Sequence, residues 1–398
     1  MSILKLLLIL LLISLPCGEL VRFDIGNNII IKPLDFFAVL ILIWTTVLYI
    51  KEKSFRSSLQ WYYFIFPLVG LISLCINSFW LKPTEFFASL LYLFRWVAYL
   101  SVFFAFIQTD KQYKKKVMWL LLADGFLVVV IGFLQFFFYP NLNDLFYLGW
   151  DNHLYRLFST FLDPNFVGAF FVLYSIFVAG FLFANGKKNK RDIFIYIIIL
   201  ALTLIATFLT YSRSALLMLI ISGTTFFILL QKKKFIFYML ILITIFVILA
   251  SPFFYIENIN LFRFNSTLNR IVDIRKGLTI FKDHPIIGVG FNSYRYAQYK
   301  YHYESPHNAQ PVHDASGNAN SYVFILATTG IIGFAAYAYL WLQLFRKANN
   351  KKGIYSVVFI SSSIGLFFNS FFNNSLFYAE IMVWMWFVSG FIFEKADY

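Results

Sequence analysis

Acidic charge is scarce in this chain. Its 398 residues include 19 Asp and Glu against 33 Lys and Arg, and charged residues of both signs make up only 13%. With 60% of residues hydrophobic, a soluble domain of this length could not bury its apolar surface, so the main solvent is lipid. Cysteine is nearly absent. Cys17 and Cys75 have no metal-ligand or CxxC spacing, which excludes a cysteine metal centre or a dithiol redox motif. Both fall toward the same face in the topology below, where a disulfide between them is geometrically allowed. There is no internal repeat and no separable soluble stretch.

The net charge of +14 would suit nucleic acid if it were spread along a groove. Instead the Lys and Arg residues sit in short clusters between apolar runs, the pattern of the positive-inside rule, so no nucleic-acid partner is expected. Twelve runs have about the length of a membrane span: 3–16, 34–50, 60–79, 84–107, 117–138, 160–184, 193–209, 213–230, 235–253, 319–345, 354–372 and 376–393. The first resembles a signal peptide, but Pro16 before Cys17 makes a poor lipoprotein site, and the run is read as a retained span.

Connections after even-numbered runs carry the basic clusters: Lys51, Lys53 and Arg56; Lys111 and Lys114 to Lys116; Lys187, Lys188, Lys190 and Arg191; Lys232 to Lys234; Arg346, Lys347, Lys351 and Lys352. Short connections after odd-numbered runs hold only Arg22, Lys32, Lys82, Arg156 and Arg213. The alternation places both termini in the cytoplasm and the long 255–318 connection outside, since long loops cross regardless of charge. The expected fold class is therefore all-α, a polytopic bundle of about twelve transmembrane helices forming one integral membrane domain over 1–398. Within the outer loop, apolar spacing at Ile271, Ile274, Leu278 and Phe281 predicts an amphipathic helix over 263–281. Arg95 and Asp124 fall inside spans, and the favoured explanation is an ion pair between them. Glu380 is a further candidate at the outer rim.

The 255–318 loop holds four of the five histidines: His284, His302, His307 and His313. Four short patterns lie on or beside the same face. They are Arg156 to Gly168, with Asp163-Pro164-Asn165; Thr210-Tyr211-Ser212-Arg213-Ser214; Arg270 leading to Asp283-His284-Pro285-Ile286-Ile287-Gly288-Val289-Gly290; and Asn320-Ser321-Tyr322 followed by Thr329-Gly330-Ile331-Ile332-Gly333. Together, over residues 156–341, they resemble the family of O-antigen ligases and Wzy-type polysaccharide polymerases. One departure stands out: where that family often has a histidine before the last Asn, this chain has Ala319.

The resemblance implies a GT-C-like glycosyltransferase that uses a polyprenyl-pyrophosphate-linked oligosaccharide, in the plasma membrane of a bacterium. It implies Arg213 and Arg270 as catalytic arginines. Arg275, Lys276, Asn165, Arg156, Asn320 and Tyr322 are candidates for binding substrate, and His313, the nearest upstream histidine, is the candidate base. Permanently charged guanidinium groups suit a pyrophosphate leaving group, and a histidine suits a hydroxyl that must lose its proton. The outer loop has no Asp-x-Asp pair, so no metal or other cofactor is expected.

The leading expectation is a polymerase that extends surface polysaccharide from lipid-linked repeat units, alongside a flippase and chain-length regulator of the same pathway. A ligase with another acceptor is the alternative, and a lipid flippase or transporter a more distant one. Each residue also has a plain structural explanation. Arg213 would snorkel, Arg270 and Arg275 would line the wet face of a loop helix, and Asn165 would cap a helix. Gly288 and Gly290 read as turn residues rather than a phosphate cradle. The aromatic run over 294–303 admits either sugar stacking or an interfacial belt.

Overall fold

A computed structural model describes residues 1–26, 29–51, 60–184, 189–253, 260–261, 265–303, 317–351 and 353–393. Its helices, in chain order, are α1 (Ser2–Ser14), α2 (Pro33–Lys51), α3 (Tyr62–Ile76), α4 (Pro83–Ile107), α5 (Lys111–Phe138), α6 (Pro164–Phe183) and α7 (Lys190–Leu209). They continue with α8 (Arg213–Leu229), α9 (Lys234–Ala250), α10 (Asn265–Asp283), α11 (Tyr294–Lys300), α12 (Ser321–Asn349), α13 (Ile354–Asn369) and α14 (Ala379–Phe391). Six of these, α2, α4, α5, α6, α7 and α12, are long and apolar enough to cross a membrane; six more apolar helices are shorter. All twelve fall on the apolar runs. The only sheet among the described residues is a two-stranded pairing of Phe23–Asp24 with Ile30–Ile31.

Local chemistry sets several helix starts. Pro83 and Pro164 occupy first-turn positions, where a missing N–H costs nothing. Asp110 caps α5 through Tyr113 N at 2.8 Å. At the same end, Lys5 in α1 bonds Asp110, and the Tyr113 hydroxyl donates to Lys5 O at 2.5 Å. The start of the chain and the basic α4–α5 connection therefore share one end of the bundle.

The centre is aromatic. Trp384 of α14 has no exposed surface and meets Phe170, Tyr174 and Phe177 of α6 edge-on, with ring centroids 5.0, 5.9 and 5.3 Å apart. Helix α6 also packs on α7, α8 and α13, while α7 and α9 present exposed side chains such as Phe194, Ile197, Phe237 and Leu249. In α1, Leu4, Leu8, Leu11 and Leu12 are fully buried, so this first helix belongs to the core. Cys17 and Cys75 are both free thiols.

The expected Arg95–Asp124 pair does not form. Arg95 instead donates to Asp35 Oδ2 at 2.8 Å and to Ile30 O, and the Tyr99 hydroxyl also donates to Asp35. Arg95 lies about 18 Å along α4 from its start, at ~1.5 Å per residue. The α1–α2 connection must therefore fold inward to reach it. In doing so it carries Lys32 to Glu380 Oε1 at 2.9 Å and Glu19 Oε1 at 2.5 Å. Desolvated charges need such partners, and here the connection supplies them. Asp124, buried in α5, leaves its Oδ2 without a hydrogen-bond partner among the described residues.

Candidate functional site

The chain folds so that the motif residues meet at the starts of α6, α8 and α12. Arg156, 5% exposed, follows a loop sewn to α7 by Leu157 N bonding Leu209 O at 2.9 Å. Its Nε donates to Thr210 O at 2.8 Å and a terminal nitrogen approaches Asn165 Oδ1 at 3.4 Å. Asn165 does not cap α6. Asp163 does, accepting from Asn165 N and Phe166 N at 2.6 and 3.3 Å, and so leaves the Asn165 amide for the site. Gly168 permits the contact with α8, because a Cβ there would come within 2.8 Å of Ala215 Cβ.

From Asn165 a line of polar side chains crosses the bundle. Ser212 Oγ donates to Asn165 Oδ1 at 3.0 Å and lies 3.1 Å from Ser214 Oγ. Asn373 Nδ2 donates to Ser214 Oγ at 2.8 Å, and the Arg270 guanidinium donates to Asn373 Oδ1 at 3.1 Å. Ser321, at the start of α12, donates to Asn373 O at 3.2 Å. Asn369 braces the junction, its Oδ1 accepting from Asn373 at 3.2 Å and from Ser375 at 2.7 Å. Arg213, half-buried, occupies the first position of α8 between the two serines. Sequence reasoning missed Asn373 and Asn369 because the α13–α14 connection carries no charge. The signal was there as Asn369, Asn373 and Asn374, amides clustered in an otherwise apolar stretch.

Helix α10 runs along this junction, over nearly the stretch that spacing predicts, but Ile271 and Leu278 of the expected apolar stripe are exposed and a different face packs inward. Its inner face is Arg270, Asp273, Gly277 and Ile280. Ile280 is fully buried, and a Cβ on Gly277 would meet Val323 at 2.4 Å. The same face continues to Asp273, whose Oδ2 accepts from Ala319 N at 2.5 Å, and to Arg270. Asn318 ties the entry of α12 to the Asp273 carbonyl at 2.6 Å and to the Tyr294 hydroxyl at 2.8 Å. Arg275 is exposed, off this face, and Lys276 lies 5.9 Å over the Tyr303 ring. Neither joins the line of polar groups.

Asn320 caps α12, accepting from Tyr322 N and Val323 N at 2.9 and 3.1 Å, while the Tyr322 hydroxyl donates to Phe367 O at 2.7 Å. His307 and His313 lie outside the described residues. His284 lies roughly 21 Å from Arg270 along the axis of α10. Burial, and then Lys300, lower its pKa, which favours the neutral form.

The glycine motifs have a structural task. Helix α12 is broken at Gly330, where φ is 65° and ψ −169°, and the freed carbonyls of Ala327 and Thr328 accept from Val289 N and Gly290 N at 2.9 and 3.0 Å. In return Ile331 N donates to Pro285 O at 2.9 Å. A Cβ on Gly330 would stand 2.2 Å from Ile286 O, and one on Gly288 2.3 Å from the Thr328 carbonyl carbon. Ser73 of α3 and Asn77 just after it close the seam, donating to Thr328 O at 2.9 Å and Gly288 O at 3.0 Å. These glycines hold backbone against backbone, as their reading as turn residues expects.

Three arginines, an amide–hydroxyl line and three helix starts thus gather at one end of an apolar bundle. Residues 198–338 match the family model Wzy_C, O-antigen ligase. This is the family that the motifs resemble. No curated protein sequence matches the chain significantly. The O-antigen ligase match and the apolar helices together support a membrane enzyme that processes glycans, with a lipid-linked glycan as the implied substrate. Of the residues that the resemblance implicates, Arg156 and Asn165 lie before the matched stretch, whereas Arg213 and Arg270 lie within it.

Proposed function

We propose that this protein is a metal-independent glycosyltransferase of the bacterial plasma membrane. It polymerises polyprenyl-pyrophosphate-linked oligosaccharide repeats into surface polysaccharide at the outer face. The carrying observation is the unbroken line from Arg156 through Asn165, Ser212, Ser214 and Asn373 to Arg270. As the glycosidic bond breaks, negative charge grows on pyrophosphate oxygens. Arg213 and Arg270 stabilise that charge, with the positive ends of α6, α8 and α12 adding to the field. The amides and hydroxyls of the line hold the Arg156 and Arg270 guanidinium groups in one geometry, so little reorganisation is needed there as the charge develops.

In this reading twelve helices cross the membrane, both termini lie in the cytoplasm, and the 255–318 segment lies outside, within reach of substrates delivered there. A ligase that transfers the same donor to another acceptor is the second reading, favoured by the description of the matched family. The deciding experiment is glycan transfer by purified protein with a polyprenyl-pyrophosphate oligosaccharide and no added metal. Growth of lipid-linked chains supports polymerase. Long lipid-linked chains that accumulate untransferred in a deletion strain favour ligase, and reconstituted lipid translocation without transfer would overturn both.

A further inference from the structure

We propose that Asp273 is the proton acceptor for the incoming sugar hydroxyl, an inference that rests on the glycosyl-transfer reading above. The reaction needs a group that can take a proton, and the line from Arg156 to Arg270 has none: guanidinium, amide and hydroxyl groups do not act as bases near neutral pH. Asp273 lies one helical turn beyond Arg270 on the inner face of α10, which Gly277 and Ile280 press against the rest of the site. Its Oδ2 is held by Ala319 N at 2.5 Å, and the Asn318 amide bonds the Asp273 carbonyl, so the residue is fixed at the entry of α12. Asn320 caps the same entry, and Ser321 donates to Asn373 O at 3.2 Å. The carboxylate therefore lies beside the end of the polar line that carries Arg270. A carboxylate has lone pairs for several donors and can hold a backbone N–H while it receives a hydroxyl.

The step balances simply. The acceptor oxygen bonds to the donor's anomeric carbon, and its proton passes to the Asp273 carboxylate. The bond from that carbon to phosphate breaks, and its electron pair leaves on the lipid pyrophosphate beside the arginines. Asp273 is bonded by Ala319 N at its carboxylate and by the Asn318 amide at its carbonyl, Asn318 also bonds the Tyr294 hydroxyl of α11, and Arg270 lies one turn away on the same helix.

The test is glycan transfer with wild type, Asp273→Asn, and Asp273→Asn combined with Ala319→His. Asparagine still accepts from Ala319 N, so folding is expected to survive, and thermal unfolding in detergent checks it. Asp273→Asn should lower kcat about 100- to 10,000-fold with little change in KM. The added imidazole, three bonds from the lost carboxylate's backbone partner, should restore part of the rate and move the acidic limb of the pH profile up to roughly pH 6.5. An Asp273→Asn enzyme with more than about a third of wild-type kcat overturns the proposal. So does a loss matched by unfolding, which would make Asp273 only an anchor for α12, and so does a base-like pH effect from His153→Ala or His313→Ala alone. If folded wild type forms no glycosidic bond with any lipid-linked sugar, the transferase reading itself fails and takes this one with it.

Discussion

The Arg270 guanidinium donates to the Asn373 side-chain carbonyl at 3.1 Å, and so joins a helix of the large loop to the turn between α13 and α14. That turn carries no charge, yet its amide bridges the two halves of the site by also donating to Ser214 at 2.8 Å. Asn373→Ala should therefore reduce transfer about 10-fold, the effect of roughly 1.4 kcal/mol of hydrogen bonding. Arg270 would lose its fixed geometry while keeping its charge. Steady-state kinetics on purified variant and wild type checks this, and an unchanged kcat would show that the amide is only packing.

Arg213→Ala and Arg270→Ala should each lower kcat about 100- to 1,000-fold, the usual effect of removing a donor to developing negative charge. Lysine should recover only part, because an ammonium cannot bind phosphate bidentately. Arg275→Ala, at an exposed position, should cost much less than either. Equal losses at all three arginines would argue for general attraction of an anionic lipid.

Gly330→Ala should destabilise the protein by about 2–5 kcal/mol, from a strained positive φ and a clash with the Ile286 carbonyl. Gly353→Ala is the control, since a Cβ there meets nothing within 4 Å. Thermal unfolding of the two variants in the same detergent should separate them clearly.

Lys32→Met should cost about 3–5 kcal/mol, because it leaves the buried Glu380 carboxylate uncompensated, while Glu19 keeps Arg22 at 3.8 Å. Adding Glu380→Gln should recover part of the loss. Burial lowers the Lys32 pKa, but Glu19 and Glu380 outweigh it, so the group titrates above its ordinary value. A raised lysine pKa means that this stabilisation is complete below about pH 10 and is lost only as pH rises through the folded-state value. Unfolding measured from pH 7 to 10 should show no contribution from Lys32 titration.

The helices were legible because lipid demands long apolar runs, and the runs survive in one dimension. The partners of buried charge were not. Arg95 and Asp124 are both intramembrane charges in neighbouring spans, but nothing in the sequence says that the α1–α2 connection folds inward to bring Asp35 to Arg95. The arginines of the site could be found by charge and order. Asn373 could not, because a neutral amide in a short turn looks like any cap. Asp163 and Asn165 show the same limit: two residues apart and both good capping types, they divide the work by a backbone geometry that the sequence does not display.

The polar line draws its links from positions 156, 165, 212, 214, 270 and 373, whereas the matched family stretch is 198–338. The recognisable part of the molecule thus holds only part of the proposed site. Cut out at its own borders, it would keep Arg213 and Arg270 and lose Asn373, the amide that holds Arg270. Chimeras between related chains should be joined so that 156–165 and 369–373 travel with the central stretch.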